Sequence, residues 1–212
     1  KVLRGLLIEF AKLRDAELAD WIKDRVTCPS SMVDRIVPAT TEKDRQNVQK
    51  QLGLEDQGVV VTESFSQWVL EDNFCEGRPA WEEVGVTMVD DVTPFEHMKL
   101  RMLNGTHSTL AYLGFMAGHE FVADAASDSD FQKLLLGMWQ DEIIPTLSMP
   151  AGIDLHAYAH DLMARYQNPE LNHRLYQIAM DGSQKLPQRL LGILRDHHAA
   201  NRLPKRVLLA IA

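Results

Sequence analysis

The chain has 212 residues, of which 45% are hydrophobic and 25% charged, a balance that suits a globular protein able to bury a core without staples. Its formal net charge of −8 and the lack of any basic stripe argue against a nucleic-acid groove. No apolar run approaches the roughly 20 residues of a membrane-spanning helix, and the stretch from Lys1 to Phe10, with Arg4 and Glu9 and no small-residue cleavage site, does not read as a signal peptide.

Two isolated cysteines, Cys28 and Cys75, lack metal or redox spacing and point to a reducing, cytoplasmic compartment. In chain order, Val2, Leu3, Leu6, Leu7, Phe10, Leu13 and Leu18 recur at helical spacing and predict one helix over 1–23. A short extended piece ends at Pro29, and Pro38 marks a boundary. Thr41 is placed to cap a helix over 42–52, with Gly53 as its stop. The β-branched run Val59-Val60-Val61 is the best strand candidate, and 85–92 the second. After Pro94 the pattern is helical. Thr93-Pro94 with Glu96 reads as a helix start. Further helices are predicted over 128–144, 154–166, 169–180 and 183–198. Trp68, Trp81 and Trp139 read as core. His156 and His160 read as a solvated helix face, having no third metal ligand nearby in sequence. His197-His198 reads as surface. The expected fold is mainly α, a multi-helix domain with a few short strands.

The informative stretch is 90–114, DDVTPFEHMKLRMLNGTHSTLAYLG. As a regular α-helix at roughly 100° per residue, with Glu96 at 0°, Lys99 falls near about −60°, His107 near about 20° and Asn104 near about 80°. Four polar groups then share one sector of a helix otherwise lined by Met98, Leu100, Met102, Leu103 and Leu110. A helix apolar on most sides is buried, so its lysine, asparagine and histidine need partners or a wet pocket. One reading is a structural network in which Lys99 pairs with Glu96. The other is a carbonyl-reducing site, with a lysine acid/base, an amide donor for a developing alkoxide and a histidine holding a substrate hydroxyl. Farther on, Lys185 and Arg189 are four apart. If Ser183 caps their helix, they share a face and form a clamp for a carboxylate, the guanidinium gripping it bidentately. Otherwise both reach solvent or an acidic neighbour.

Lys99, four residues, Asn104, two residues and His107 resemble the K-x4-N-x2-H signature of the polyol-specific long-chain dehydrogenase/reductases. That group includes mannitol 2-dehydrogenase and fructuronate reductase. The segments at 31–36 (SMVDRI), 67–72 (QWVLED), 77–81 (GRPAW) and 181–185 (DGSQK) are similar to family segments, so the resemblance covers essentially the whole chain. It implies that Lys99 is the catalytic acid/base, Asn104 one arm of the oxyanion hole and His107 the residue that orients substrate. It further implies that Val33 and Asp34 line the site, that Glu96 gates proton exchange with solvent and that Lys185 contacts substrate. No metal is implied. The implied cofactor is NAD, with NADP possible. The implied reaction interconverts D-mannonate and D-fructuronate. Alternatives are mannitol or another polyol, or, outside catalysis, a helical domain that binds sugar acids without turnover. The implied partners are small molecules, with no nucleic acid and no membrane.

Three departures shape the expectation. No glycine-rich phosphate loop occurs in the chain, and the family's second oxyanion-hole asparagine is expected upstream of Lys1. Residues 1–38 are therefore expected to be the edge of a nucleotide-binding domain and 39–212 the helical C-terminal domain. The family's Rossmann domain is expected to be missing, so that the cofactor is bound mainly outside the chain and the isolated chain is inactive. Gln177 stands where mannitol dehydrogenases carry an arginine.

Overall fold

In the computed structural model, which describes residues 2–212, the chain divides into two compact units. One runs to Asp34 and resumes over Phe65–Phe95; the other comprises Arg35–Ser64 and Glu96–Ala212.

The first unit holds two helices and a sheet. The single helix predicted over 1–23 is two, α1 (Val2–Lys12) and α2 (Ala16–Arg25). The break has a local cause: Asp15 adopts extended backbone and its carboxylate accepts from the amides of Glu17 (2.9 Å) and Leu18 (3.2 Å), starting a new helix. Strands β1 (Ser31–Asp34), β2 (Gln67–Glu71) and β3 (Thr87–Val89) form one sheet in that order. β1 and β2 are antiparallel, pairing Ser31 with Leu70 and Asp34 with Gln67; β2 and β3 are parallel, pairing Val69 with Thr87. Along β1, Met32 and Asp34 are buried while Ser31 and Val33 are exposed, the period-two alternation of a strand. The few short strands expected in a mainly helical chain are present, and they join into one mixed sheet. Its pairings join residues 33 to 39 positions apart between β1 and β2 and 18 apart between β2 and β3, which local periodicity does not reveal. Conversely, Val59–Val61 is no strand. Trp68 is 39% exposed, its indole N–H donating to Ser31 Oγ at 2.8 Å, and it leans on Trp81 rather than filling a core.

The second unit begins with α3 (Glu42–Leu52), closed by a Thr41–Asp44 capping box and by Gly53 at φ 70°. Its main body is helical. A continuous helix opens with α4 (Thr93–Met98), widens to π geometry over Lys99–Gly105, tightens into α5 (Thr106–Thr109) and widens again over Leu110–Gly114. Then come α6 (Val122–Ser127), α7 (Ser129–Gly137) with a π-helical extension over Met138–Ile143, and α8 (Leu155–Tyr166). They are followed by α9 (Leu175–Ala179), α10 (Gly182–Arg189), α11 (Leu191–Ala199) and α12 (Lys205–Ile211). Met102, Leu110, Trp139, Leu162, Leu175 and Ile193 are fully buried at its centre. His197, predicted at the surface, is 3% exposed, and its Nε2 lies 2.6 Å from Glu142 O. The Glu142 carboxylate in turn accepts from the amides of Arg206 (3.0 Å) and Val207 (2.9 Å), which ties the start of α12 to the core. Among the described residues no helix is long and apolar enough to cross a membrane. Both cysteines are free thiols.

Candidate active site

The helix that carries Lys99, Asn104 and His107 is not the regular α-helix that the sequence predicts. In π geometry, residues five apart are the ones joined by the backbone hydrogen bond. Lys99 and Asn104 are five apart, so the π geometry over Lys99–Gly105 brings them nearer to a common face than an α-helix, which would separate them by about 140°. His107 follows three residues later on α5, one α-turn along. The motif therefore spans five residues of π geometry and then three of α geometry. Lys99 and Asn104 are half-buried, His107 is 6% exposed and Glu96, on α4, is exposed.

A π turn holds its ladder less well than an α-helix, and buried donors support this one. Met102 O accepts from Thr106 Oγ1 (2.5 Å) and from the Trp139 indole (2.9 Å). Leu103 O accepts from the Tyr166 hydroxyl (2.6 Å), which also lies 2.9 Å from Thr106 Oγ1. The helix start has its own support, though not the predicted one: Asp91, rather than Thr93, supplies the cap, accepting from Thr93 N (3.0 Å) and Oγ1 (2.7 Å).

Next to this turn lies α10. A Cβ at Gly105 would sit 3.0 Å from Arg189 O and 3.2 Å from Leu190 Cδ2, so glycine is what lets the end of α10 approach. Arg189 Nη1 donates to Ser108 Oγ at 2.9 Å, and Lys185 Nζ donates to Ile178 O at 3.2 Å. Ser183 is not the cap of this helix. Asp181, at φ 58°, precedes its first turn, and Pro187 lies inside it. Gln177 is exposed on α9. Val33 and Asp34 belong to β1 of the sheet unit, Val33 exposed and Asp34 fully buried.

Several residues of this neighbourhood were not legible as site residues. His107 stacks on Tyr166 with ring centroids 5.1 Å apart and meets the edge of His173 at 5.0 Å. Arg165, almost wholly buried, donates from Nε (2.9 Å) and Nη2 (2.8 Å) to the buried carboxylate of Glu63, which also accepts from Ile36 N at 2.5 Å. No sequence spacing links residues 63, 107, 165 and 173.

The electrostatics are cationic. Burial holds the His107 imidazole well below its ordinary pKa, and His173, Arg189, Arg165 and Lys185 add to the effect. His173 is lowered by burial and by Lys185. Burial also lowers the Arg189 guanidinium. Arg165 is neutralised by its pairing with Glu63, while Arg189 and Lys185 bear on His107 as cations. His156 and His160 are exposed on α8, and among the described residues no group of three His, Cys, Asp or Glu side chains is placed to hold a metal ion.

Residues 1–83 match the mannitol dehydrogenase Rossmann domain, and residues 91–212 match the mannitol dehydrogenase C-terminal domain. The chain belongs to the mannitol dehydrogenase family. It is 53% identical over 196 residues to the D-mannonate oxidoreductase of Escherichia coli (strain K12), covering 92% of this chain and 40% of that protein. Its fold is similar to that of Pseudomonas fluorescens mannitol 2-dehydrogenase in ternary complex with NAD and D-mannitol (TM-score 0.88, 41% identity), covering 98% of this chain and 42% of that one. A D-sorbitol dehydrogenase in substrate-free form gives a TM-score of 0.89 at 38% identity, over 98% of this chain and 43% of that one. The chain thus spans about two fifths of the length of these relatives.

These matches correct the expectation of a C-terminal domain alone. The chain carries Rossmann-domain sequence over 1–83, and the sheet of β1 to β3 lies at 31–89. The expectation that the cofactor is held by a domain missing from the chain falls with it. The glycine-rich loop, which carried that expectation, is only one part of such a domain. Among the described residues of the sheet unit no glycine-rich strand-to-helix turn occurs, so no phosphate contact is assigned.

Proposed function

We propose that this chain supplies the proton-transfer and substrate-holding residues of an NAD(P)-dependent oxidoreductase that interconverts D-mannonate and D-fructuronate. The observation that carries the reading is the succession of Lys99, Asn104 and His107 along one helix of π and then α geometry, with Arg189 and Lys185 near enough to act on His107. A bound nicotinamide would supply the hydride. Lys99 would give its ammonium proton to the substrate oxygen in reduction and take it back in oxidation. The Asn104 amide would donate to the same oxygen as charge develops on it. His107, neutral, would donate its one N–H to a neighbouring hydroxyl. Arg189 and Lys185 would hold the carboxylate. Glu96, exposed on α4, would exchange the lysine's proton with solvent. Two free thiols suit a reducing cytoplasm.

The test compares kcat/KM for D-mannonate and D-mannitol in the protein that carries this chain. D-mannonate is expected to be preferred by about 10- to 100-fold, the worth of a charge-assisted contact in a partly desolvated pocket. Arg189→Gln and Lys185→Gln are expected to erase the preference. Lys99→Ala is expected to lower kcat by about 100-fold or more, and near-normal turnover would remove it from the mechanism. A neutral-polyol reading is favoured by the likeness to the mannitol 2-dehydrogenase complex. Equal kcat/KM for the two substrates, or a preference that survives both substitutions, would select it.

A further inference from the structure

Behind His107, on the side of α8 and the loop before α9, lies a cavity of about 10 Å³ lined by His107, His173, Arg165, Asn168 and Tyr166 together with apolar side chains. Two ring nitrogens, His107 Nε2 and His173 Nδ1, are buried and have no hydrogen-bond partner among the described residues. The rings meet edge to face at 5.0 Å. Buried polar atoms are almost always satisfied, by protein or by ordered water, and a cavity of this size is about the smallest that holds one water.

We propose that one water occupies this cavity and donates hydrogen bonds to both His107 Nε2 and His173 Nδ1, so that His173 is a positioning residue fixing His107 as its Nδ1–H tautomer. The direction of those bonds follows from the local charge. Arg165 in the cavity wall is paired with Glu63, so the net positive field at His107 comes from Arg189 and Lys185. A positive field turns the water oxygen toward the cations and its hydrogens toward the imidazole lone pairs. Both imidazoles are held neutral by burial, so each has a lone pair to offer. A neutral imidazole has one proton, and an accepting Nε2 leaves it on Nδ1. Tyr166 stacks on His107 at 27°, which sets the ring plane but cannot distinguish a ring from its flipped form. A polar partner on one edge can.

The catalytic consequence rests on the reading of His107 as the residue that orients substrate; the tautomer does not. The test is nitrogen NMR of histidine-labelled protein, with the His107 signals identified by their loss in His107→Ala. His107 is expected to show a protonated Nδ1 and an unprotonated Nε2. In His173→Phe, which keeps the ring edge and removes Nδ1, the second tautomer of His107 should appear. In His173→Gln, whose amide oxygen can accept from the same water, the single tautomer should persist. A predominant Nε2–H form in the unsubstituted protein, or His107 signals unaltered by His173→Phe, overturns the inference. Should His173→Phe fail to fold, the unsubstituted spectrum and His173→Gln decide. The Nδ1–H tautomer together with unimpaired kcat/KM in His107→Ala would refute the role proposed for His107 and leave this inference standing.

Discussion

Tyr166→Phe isolates the support of the π turn. The Tyr166 ring is 1% exposed and packs between His107 and Trp139, with centroid distances of 5.1 and 6.3 Å. The substitution keeps that packing and removes only a hydroxyl that donates to Leu103 O at 2.6 Å and lies 2.9 Å from Thr106 Oγ1. Losing a buried hydrogen-bonding group costs about 1–3 kcal/mol. Partial compensation is at hand, because Thr106 Oγ1 still donates to Met102 O and Thr106 N still reaches Leu103 O. The expected loss is therefore in the middle of that range, about 2 kcal/mol. For a protein of this size each kcal/mol is worth about 2–4 °C, so the midpoint of thermal unfolding should fall by about 4–8 °C. Calorimetry measures the shift. Hydrogen exchange should quicken at the amides of the π turn while α8 stays protected. A shift under about 1 °C, well below one kcal/mol on the same scale, would mean that the hydroxyl does not hold the turn open and that the π geometry has another cause.

Gly105→Ala should lower stability by about 1–3 kcal/mol, because the new Cβ meets the Arg189 carbonyl, a backbone atom that cannot swing aside. It should also raise KM for a sugar acid by displacing Arg189; a stabilised variant with unchanged KM would sink both expectations. Glu63→Ala takes the carboxylate from a buried guanidinium and from the Ile36 amide and should cost about 3 kcal/mol or more, read by urea unfolding. His107 is held well below its ordinary pKa chiefly by burial, so the unfolded chain binds its proton more readily than the folded one. Its contribution to stability is full above pH about 6.5 and is lost as pH falls from there toward the folded pKa, at up to about 1.4 kcal/mol per pH unit. His107→Gln should flatten that part of the stability profile, and an unchanged acid limb would exclude the histidine as its source.

Several helix limits were legible along the chain because their signals are local. Thr41, Asp44 and Gly53 delimit α3 within a dozen residues, and Asp154 caps α8 two and three residues on. The Lys99, Asn104 and His107 spacing lies in nine residues of one helix. Other features depend on partners far away in sequence, and no local pattern encodes them. The run Val59–Val61 has strand composition, but a strand exists only where another pairs with it, and β2 found β1 and β3 instead. An α-helix and a π turn have nearly the same local propensities. What supports the wider turn is a hydroxyl from Tyr166 and an indole from Trp139, on helices 63 and 37 residues further on. His173 and the Glu63–Arg165 pair reach His107 by the same route. The sequence by itself determined which reactive groups this protein carries and the helix that bears them. Tertiary packing decided how that helix is wound and which neighbours desolvate His107, and hence that its imidazole is held neutral.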